Sequence, residues 1–174
     1  MGLTEDKAAK EQRDLGILKG WEECCAFSAQ TARNILAEKR PGIYTVKPDA
    51  SVFEALGLMA EHNVGALVVV EGGNVVGVIS ERDYARKVIL IGKSSRETLV
   101  REIMGAPAVT VGPATSVGEC MQLMTGSHIR HLPVVASGIL IGCVSIGDVV
   151  KAIITDQQRR IQQLEAYLSD TYPA

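Results

Sequence analysis

Two kinds of apolar pattern alternate along the chain, and the alternation occurs twice. Val52, Ala55, Leu56 and Met59 recur at helical spacing, as do Val117, Cys120, Met121 and Met124, so each set predicts a helix that buries one face. Both helices have a start signal. In Ser51-Val-Phe-Glu54 and Ser116-Val-Gly-Glu119 the Ser oxygen can accept an orphan N–H of the first turn while the Glu reaches back to the cap. Residues 66–70 and 75–79 are β-branched runs joined by Glu71-Gly-Gly-Asn74, which tolerates positive φ, and they predict a hairpin. The second copy predicts strands over 132–135 and 139–144 around a Ser137-Gly138 turn, with Pro133 at a sheet edge or strand start. A further helix follows each hairpin, from about 81 to 91 and from about 147 to at least 154. The unit is helix, hairpin, helix, and the fold class is α+β (mixed α/β).

The two units are copies of one another. At a shift of 65, residues 45–84 align with 110–149 without a gap, and 15 of those 40 positions are identical, where chance gives about three. Residues 31–92 and 93–154 are therefore the two repeats, preceded by an arm, 1–30, and followed by a C-terminal helix and tail, 155–174. Gly92-Lys-Ser-Ser95 reads as the linker, residues 98–104 as a short amphipathic helix entering the second repeat, and 32–36 as its weaker counterpart. The C-terminal helix is expected to run through 157–168 with Ile161, Leu164 and Leu168 as an apolar stripe that wants a partner, a second subunit of a homodimer. The arm holds Leu15, Ile17, Leu18, Trp21 and Phe27 among many charges and reads as a flexible or packing segment.

Composition narrows the field. The 174 residues are 47% hydrophobic but only 4% aromatic, so the interior is built of aliphatic side chains, Ala and Met. A net charge of −2 gives no global pull toward nucleic acid or anionic lipid, so any anion site must be local. No apolar run approaches the ~18 residues that a membrane span requires. Cys24, Cys25, Cys120 and Cys143 show no C-x-x-C spacing, and the start of the chain lacks an apolar signal segment, which together suggest a reducing, cytoplasmic setting. The acids among residues 1–23 argue against a transit peptide.

Candidate chemistry gathers where each hairpin hands over to a helix, at Gly77-Val-Ile-Ser80-Glu-Arg-Asp83 and Gly142-Cys-Val-Ser145-Ile-Gly-Asp148. Ser and Asp share one side of the first helical turn, beside unpaired N–H donors, and the acid could accept from two adjacent hydroxyls such as those of ribose. The competing reading is a plain capping box. Two copies in register favour a ligand.

Taken together, Thr-Val, the capped helix, the hairpin and the terminal Gly-h-h-Ser-x-x-Asp, twice at one offset over roughly residues 32–154, resemble a pair of CBS domains, the repeats named after cystathionine β-synthase. Whole-chain likeness is to short stand-alone CBS-pair proteins of bacteria and plant organelles. The resemblance implies a pseudo-twofold module with two clefts that hold AMP, ADP, ATP or another adenosyl ligand, with NAD(H) possible, and pairs of modules that associate into a disc. It implies a regulatory sensor without catalysis, acting on an unidentified partner protein. Asp83 and Asp148 resemble the ribose-binding acids, Ser80 and Ser145 their polar neighbours, and Thr45 and Thr110 the residues opening each cleft. Ile129, Arg130 and His131 resemble the segment facing phosphate. Its first-repeat counterpart, Val64-Gly65-Ala66, lacks both basic groups, so the two clefts should differ.

If strands near the pseudo-twofold axis serve the opposite repeat's ligand, Arg130 and His131 face the phosphate of the nucleotide held by Asp83. Alternatively Arg130 pairs with Glu81 or Asp148 at the surface. His131, at an ordinary pKa of ~6.5, would add binding on acidification. An NAD(H) or S-adenosylmethionine sensor and a protein-interaction scaffold with vestigial clefts are the alternatives. Metal is disfavoured because His128 and His131 would point to opposite faces of a strand with no acid or Cys cluster beside them. No nucleophile-and-base or paired-carboxylate constellation suggests an enzyme.

Overall fold

The computed structural model describes residues 30–39 and 42–171, with the course of the backbone alone over 168–171. The arm's residues 1–29, including Cys24 and Cys25, lie outside the described residues, as does the side chain of Leu168.

Helix α1 (Ala32–Glu38) leads to β1 (Thr45–Val46), α2 (Val52–His62), β2 (Ala66–Glu71), β3 (Asn74–Ser80) and α3 (Glu81–Lys87). A 3₁₀ turn (Ile89–Ile91) and α4 (Val100–Ile103) follow, then α5 (Val117–Gly126), β4 (His131–Ala136), β5 (Ile139–Ser145) and α6 (Ile146–Thr171). Both predicted capping boxes form with the same geometry. Ser51 N–H and Oγ–H donate to Glu54 Oε2 at 2.8 and 2.7 Å, and Ser116 does the same to Glu119. Both hairpins turn where expected, with positive φ at Gly72 and Gly73 and at Ser137 and Gly138. The antiparallel ladders run from Ala66↔Ser80 to Glu71↔Asn74 and from His131↔Ser145 to Ala136↔Ile139, and each is interrupted by a bulge one repeat length apart, after Val69 and after Val134.

The repeats differ at one strand. In the first, β1 pairs in parallel with β2 and Val68 N–H donates to the Tyr44 carbonyl at 3.2 Å. The equivalent donor in the second would be Pro133, which has none. Only a single bridge, Val111↔Val134, therefore forms there. Pro133 sits inside β4 rather than at its start or at a sheet edge. Its carbonyl accepts from Val111 N–H at 3.0 Å, so the missing N–H falls on the side that carries one bridge instead of a ladder.

The two cores exchange their leading helices. Val100 and Ile103 of α4, which precede the second repeat in sequence, are buried in the core of the first with Val46, Val52, Met59, Leu67 and Ile79. Ala32 and Ile35 of α1 are buried in the core of the second with Val117, Cys120, Met124, Leu132 and Val144. The same backbone bonds hold each crossing. Val52 N–H donates to Thr98 O at 2.9 Å and Val100 N–H to Ala50 O at 2.9 Å, matched by Val117 N–H to Gln30 O at 3.0 Å and Ala32 N–H to Thr115 O at 2.8 Å. Segments expected to open one repeat thus complete the other. Gly77 and Gly142 make room for the crossings: a Cβ on Gly77 would lie 2.6 Å from Met104 Sδ and 3.0 Å from Gly105 O, and one on Gly142 would lie 2.6 Å from Leu36 Cδ2.

Candidate functional site

The end of β3 and the start of β4 come together from different repeats. They share a cavity of about 560 Å³, within the range of small-molecule sites, whose walls include Ser80–Asp83 from the first repeat, 127–131 from the second, and 105–109 of the segment between them. Ser80, Asp83, Ile129, Arg130 and His131 all line it.

Ser80 and Asp83 are locked by a capping box. Ser80 Oγ–H and N–H donate to Asp83 Oδ2 at 2.6 and 3.1 Å, and Asp83 N–H donates back to Ser80 Oγ at 3.3 Å. The other carboxylate oxygen, Oδ1, pairs with Lys87 Nζ at 3.0 Å, and Lys87 also donates to the Ile103 carbonyl on α4. The capping reading of Ser-x-x-Asp is thus a fact of this fold, and it holds the acid in one orientation at the cavity wall.

Arg130 reaches the cavity from the strand start whose carbonyl accepts Ile146 N–H at 2.9 Å. Among the described residues it forms no ion pair, with Glu81, Asp148 or any other acid. Two further guanidinium groups, Arg82 and Arg86, line the same cavity. With Lys87 they set four cations against the carboxylates of Glu81 and Asp83, a local excess of positive charge on a chain of net charge −2. Sequence reasoning missed Arg82 and Arg86. A usable signal existed, because Arg82 replaces a glycine, Gly147, at the matching position of the other repeat.

His131 does not keep an ordinary titration. Burial pushes its pKa down, the cations of Lys39 and Arg130 push the same way, and Asp148 only partly opposes them. His128, also at the cavity wall, has φ of 54° and occupies the left-handed position that Asn63 fills in the first repeat, so its backbone ends a helix.

The second Ser-x-x-Asp is elsewhere and differently engaged. Ser145 N–H and Oγ–H donate to Asp148 Oδ2 at 2.8 and 2.7 Å, and Lys39, beyond the end of α1, places Nζ 2.8 Å from the same oxygen and 3.2 Å from the Cys143 carbonyl. Burial raises the Asp148 pKa, but the Lys39 and Ser145 hydrogen bonds outweigh it and leave the group below its usual value. Ser145 and Asp148 do not line the first cavity. Neither do the exposed Thr45 and Thr110; Thr110 instead borders a second cavity of about 520 Å³ with Thr115, Glu119 and Gln122. Cys120 is buried in the second core, as expected, and burial pushes its thiol up to about 11, as it does that of Cys143. Among the described residues no three His, Cys, Asp or Glu side chains converge as a metal site would require, and no helix is long and apolar enough to cross a membrane.

Comparison with known proteins places these repeats. Residues 33–89 and 100–155 each match the family profile described as the CBS domain. The chain is 46% identical over 129 residues to the mitochondrial CBS domain-containing protein CBSX3 of Arabidopsis thaliana, covering 71% of itself and 63% of that protein. It is 39% identical over 106 residues to the CBS domain-containing protein YhcV of Bacillus subtilis, covering 61% of itself and 75% of that protein. Among solved structures, a protein with CBS domains from Burkholderia ambifaria is 50% identical, with a TM-score of 0.70 over 74% of this chain and 96% of that one.

Proposed function

The chain belongs to the CBS-domain family as a pair of repeats, and from that premise we propose that it is an adenine-nucleotide sensor. It holds AMP, ADP or ATP in the cavity lined by both repeats and has no catalysis of its own. One observation carries this reading: Ser80 and Asp83 from one repeat and Arg130 and His131 from the other line a single cavity with excess positive charge. Asp83 would take the ribose hydroxyls, giving up or sharing its bond to Lys87. Arg130, with no acid to neutralise it, would take the phosphate through two parallel charge-assisted bonds. Because the cavity walls come from both repeats, an occupant would tie them together, and a partner protein could read that change. NAD(H) shares the adenosine monophosphate portion that these groups would recognise.

Calorimetric titration with AMP, ATP, NADH, S-adenosylmethionine and adenosine tests the reading. AMP or ATP should bind at one site per chain. Arg130→Ala should weaken AMP by about ten- to hundredfold and adenosine hardly at all. Equal losses for AMP and adenosine would reject the phosphate role, silence from every ligand would leave a scaffold, and turnover of any would make the chain an enzyme.

A further inference from the structure

Helix α6 does two jobs along its length. Its first turns bury Val149 and Ala152 in the second core, but it runs on to Thr171, well past that core. The opposite face carries Val150, Ile154, Gln157, Ile161, Leu164 and, by sequence, Leu168, at separations of four, three, four, three and four. Val150, Ile154, Ile161 and Leu164 are 41%, 52%, 54% and 64% exposed, large apolar side chains left in water along one continuous stripe. A strict three-four alternation averages 3.5 residues per turn, which an α-helix satisfies only by supercoiling around another helix of the same period.

We propose that α6 pairs with α6 of a second copy as a parallel, in-register, two-stranded coiled coil. The seam continues from the module surface, at Val150 and Ile154, to the projecting end of the helix. It spans about 27 Å and fewer than three heptads, short for a free peptide, but the folded core has already nucleated the helix. The charges and the one polar seam residue select the second copy and its direction. Arg160 precedes a seam position and Glu165 follows the next, so in a parallel pair each Arg160 lies beside the partner copy's glutamate at 165, twice by symmetry. Arg160 already contacts Asp156 in its own helix at 3.2 Å, an exposed pair that leaves the guanidinium other donors. Gln157 meets its own counterpart and can trade amide hydrogen bonds with it. An antiparallel pair would instead set Gln157 against Ile161 and Arg160 against Arg160.

Sedimentation equilibrium on the full chain tests this. The wild-type chain should dimerise, and Ile161→Glu with Leu164→Glu should weaken the dimer at least about a hundredfold while the circular dichroism of the module persists. Arg160→Glu and Glu165→Arg should each weaken it, and the two together should restore it, independently of how the apolar variant folds. A wild-type chain monomeric at about 100 µM, where any dimer tighter than that would be populated, would overturn the proposal. So would a double-glutamate chain that dimerises like wild type, or charge swaps that fail to rescue each other.

Discussion

Asp83 and Asp148 are the same residue by descent, with the same capping box, and yet their surroundings give them different work. Asp83 has one oxygen at a cavity and a lysine from its own helix; Asp148 has a lysine from α1 and no share of that cavity. Asp83→Ala should therefore cost stability, about 0.5–2 kcal/mol for the lost cap, and also about ten- to hundredfold in AMP affinity. Asp148→Ala should cost stability alone. Thermal melts and calorimetry on both variants check the contrast. His131 gives a pH signature. Unfolded, it takes a proton near ~6.5; folded, it resists protonation to lower pH because burial and nearby cations disfavour the charge. The unfolded state thus binds more protons as pH falls below that value, and stability drops through the window down to the folded pKa. His131→Phe should flatten this part of the melting temperature against pH, and an unchanged slope would assign the loss to other groups. Much of this site was legible in the sequence, because duplication marked Ser80, Asp83, Ser145 and Asp148, and non-duplication marked Arg130 and His131. Lys39 was not, since nothing local ties it to an acid 109 residues away.

At the scale of elements, the pattern of apolar positions revealed which faces are buried but not in which core. The helices around 32–36 and 98–104 were visible as amphipathic, and only the folded chain shows them crossing to the other repeat. Periodicity describes one helix at a time, whereas the exchange is set by where two sheets lie. The conserved spacing of Gly77 and Gly142 was visible too, as part of the motif leading to Ser and Asp, but its reason lies in those crossings. Gly77→Ala should destabilise by about 1–3 kcal/mol, since its Cβ would press on Met104 and on the Gly105 backbone. Gly142→Ala should cost less, because only the Leu36 side chain opposes it and can rotate away. Denaturant midpoints on the two variants check the order. Pro133 was read as an edge marker and proved to be the cause of an edge: without its N–H, the first strand of the second sheet shrinks to one bridge.

For the whole molecule, the exchange means that neither repeat has a complete core of its own. Residues 30–95 alone would lack Val100 and Ile103 and expose the apolar faces around Val52 and Met59. Such a fragment should show little tertiary structure by near-ultraviolet circular dichroism and amide exchange, and the full chain should unfold in one transition rather than two. A stably folded fragment, or two separated transitions, would show that the crossing helices are ornaments on independent domains.

The same interlacing orders events during synthesis. Chains generally fold from the N-terminus as each unit leaves the ribosome, but here the first core cannot close until Ile103 has emerged, by which point the second repeat is already under way. Helix α1 is made first and waits longest. Its place beside Ala152 does not exist until nearly the entire second repeat has been translated. For most of its synthesis the chain therefore carries an unpartnered apolar helix at its leading end and an unfinished core behind it. Its exposure to aggregation and to chaperones is set by the time the ribosome takes to travel from α1 to α6, and slowing elongation anywhere in that interval should lower the yield of native protein.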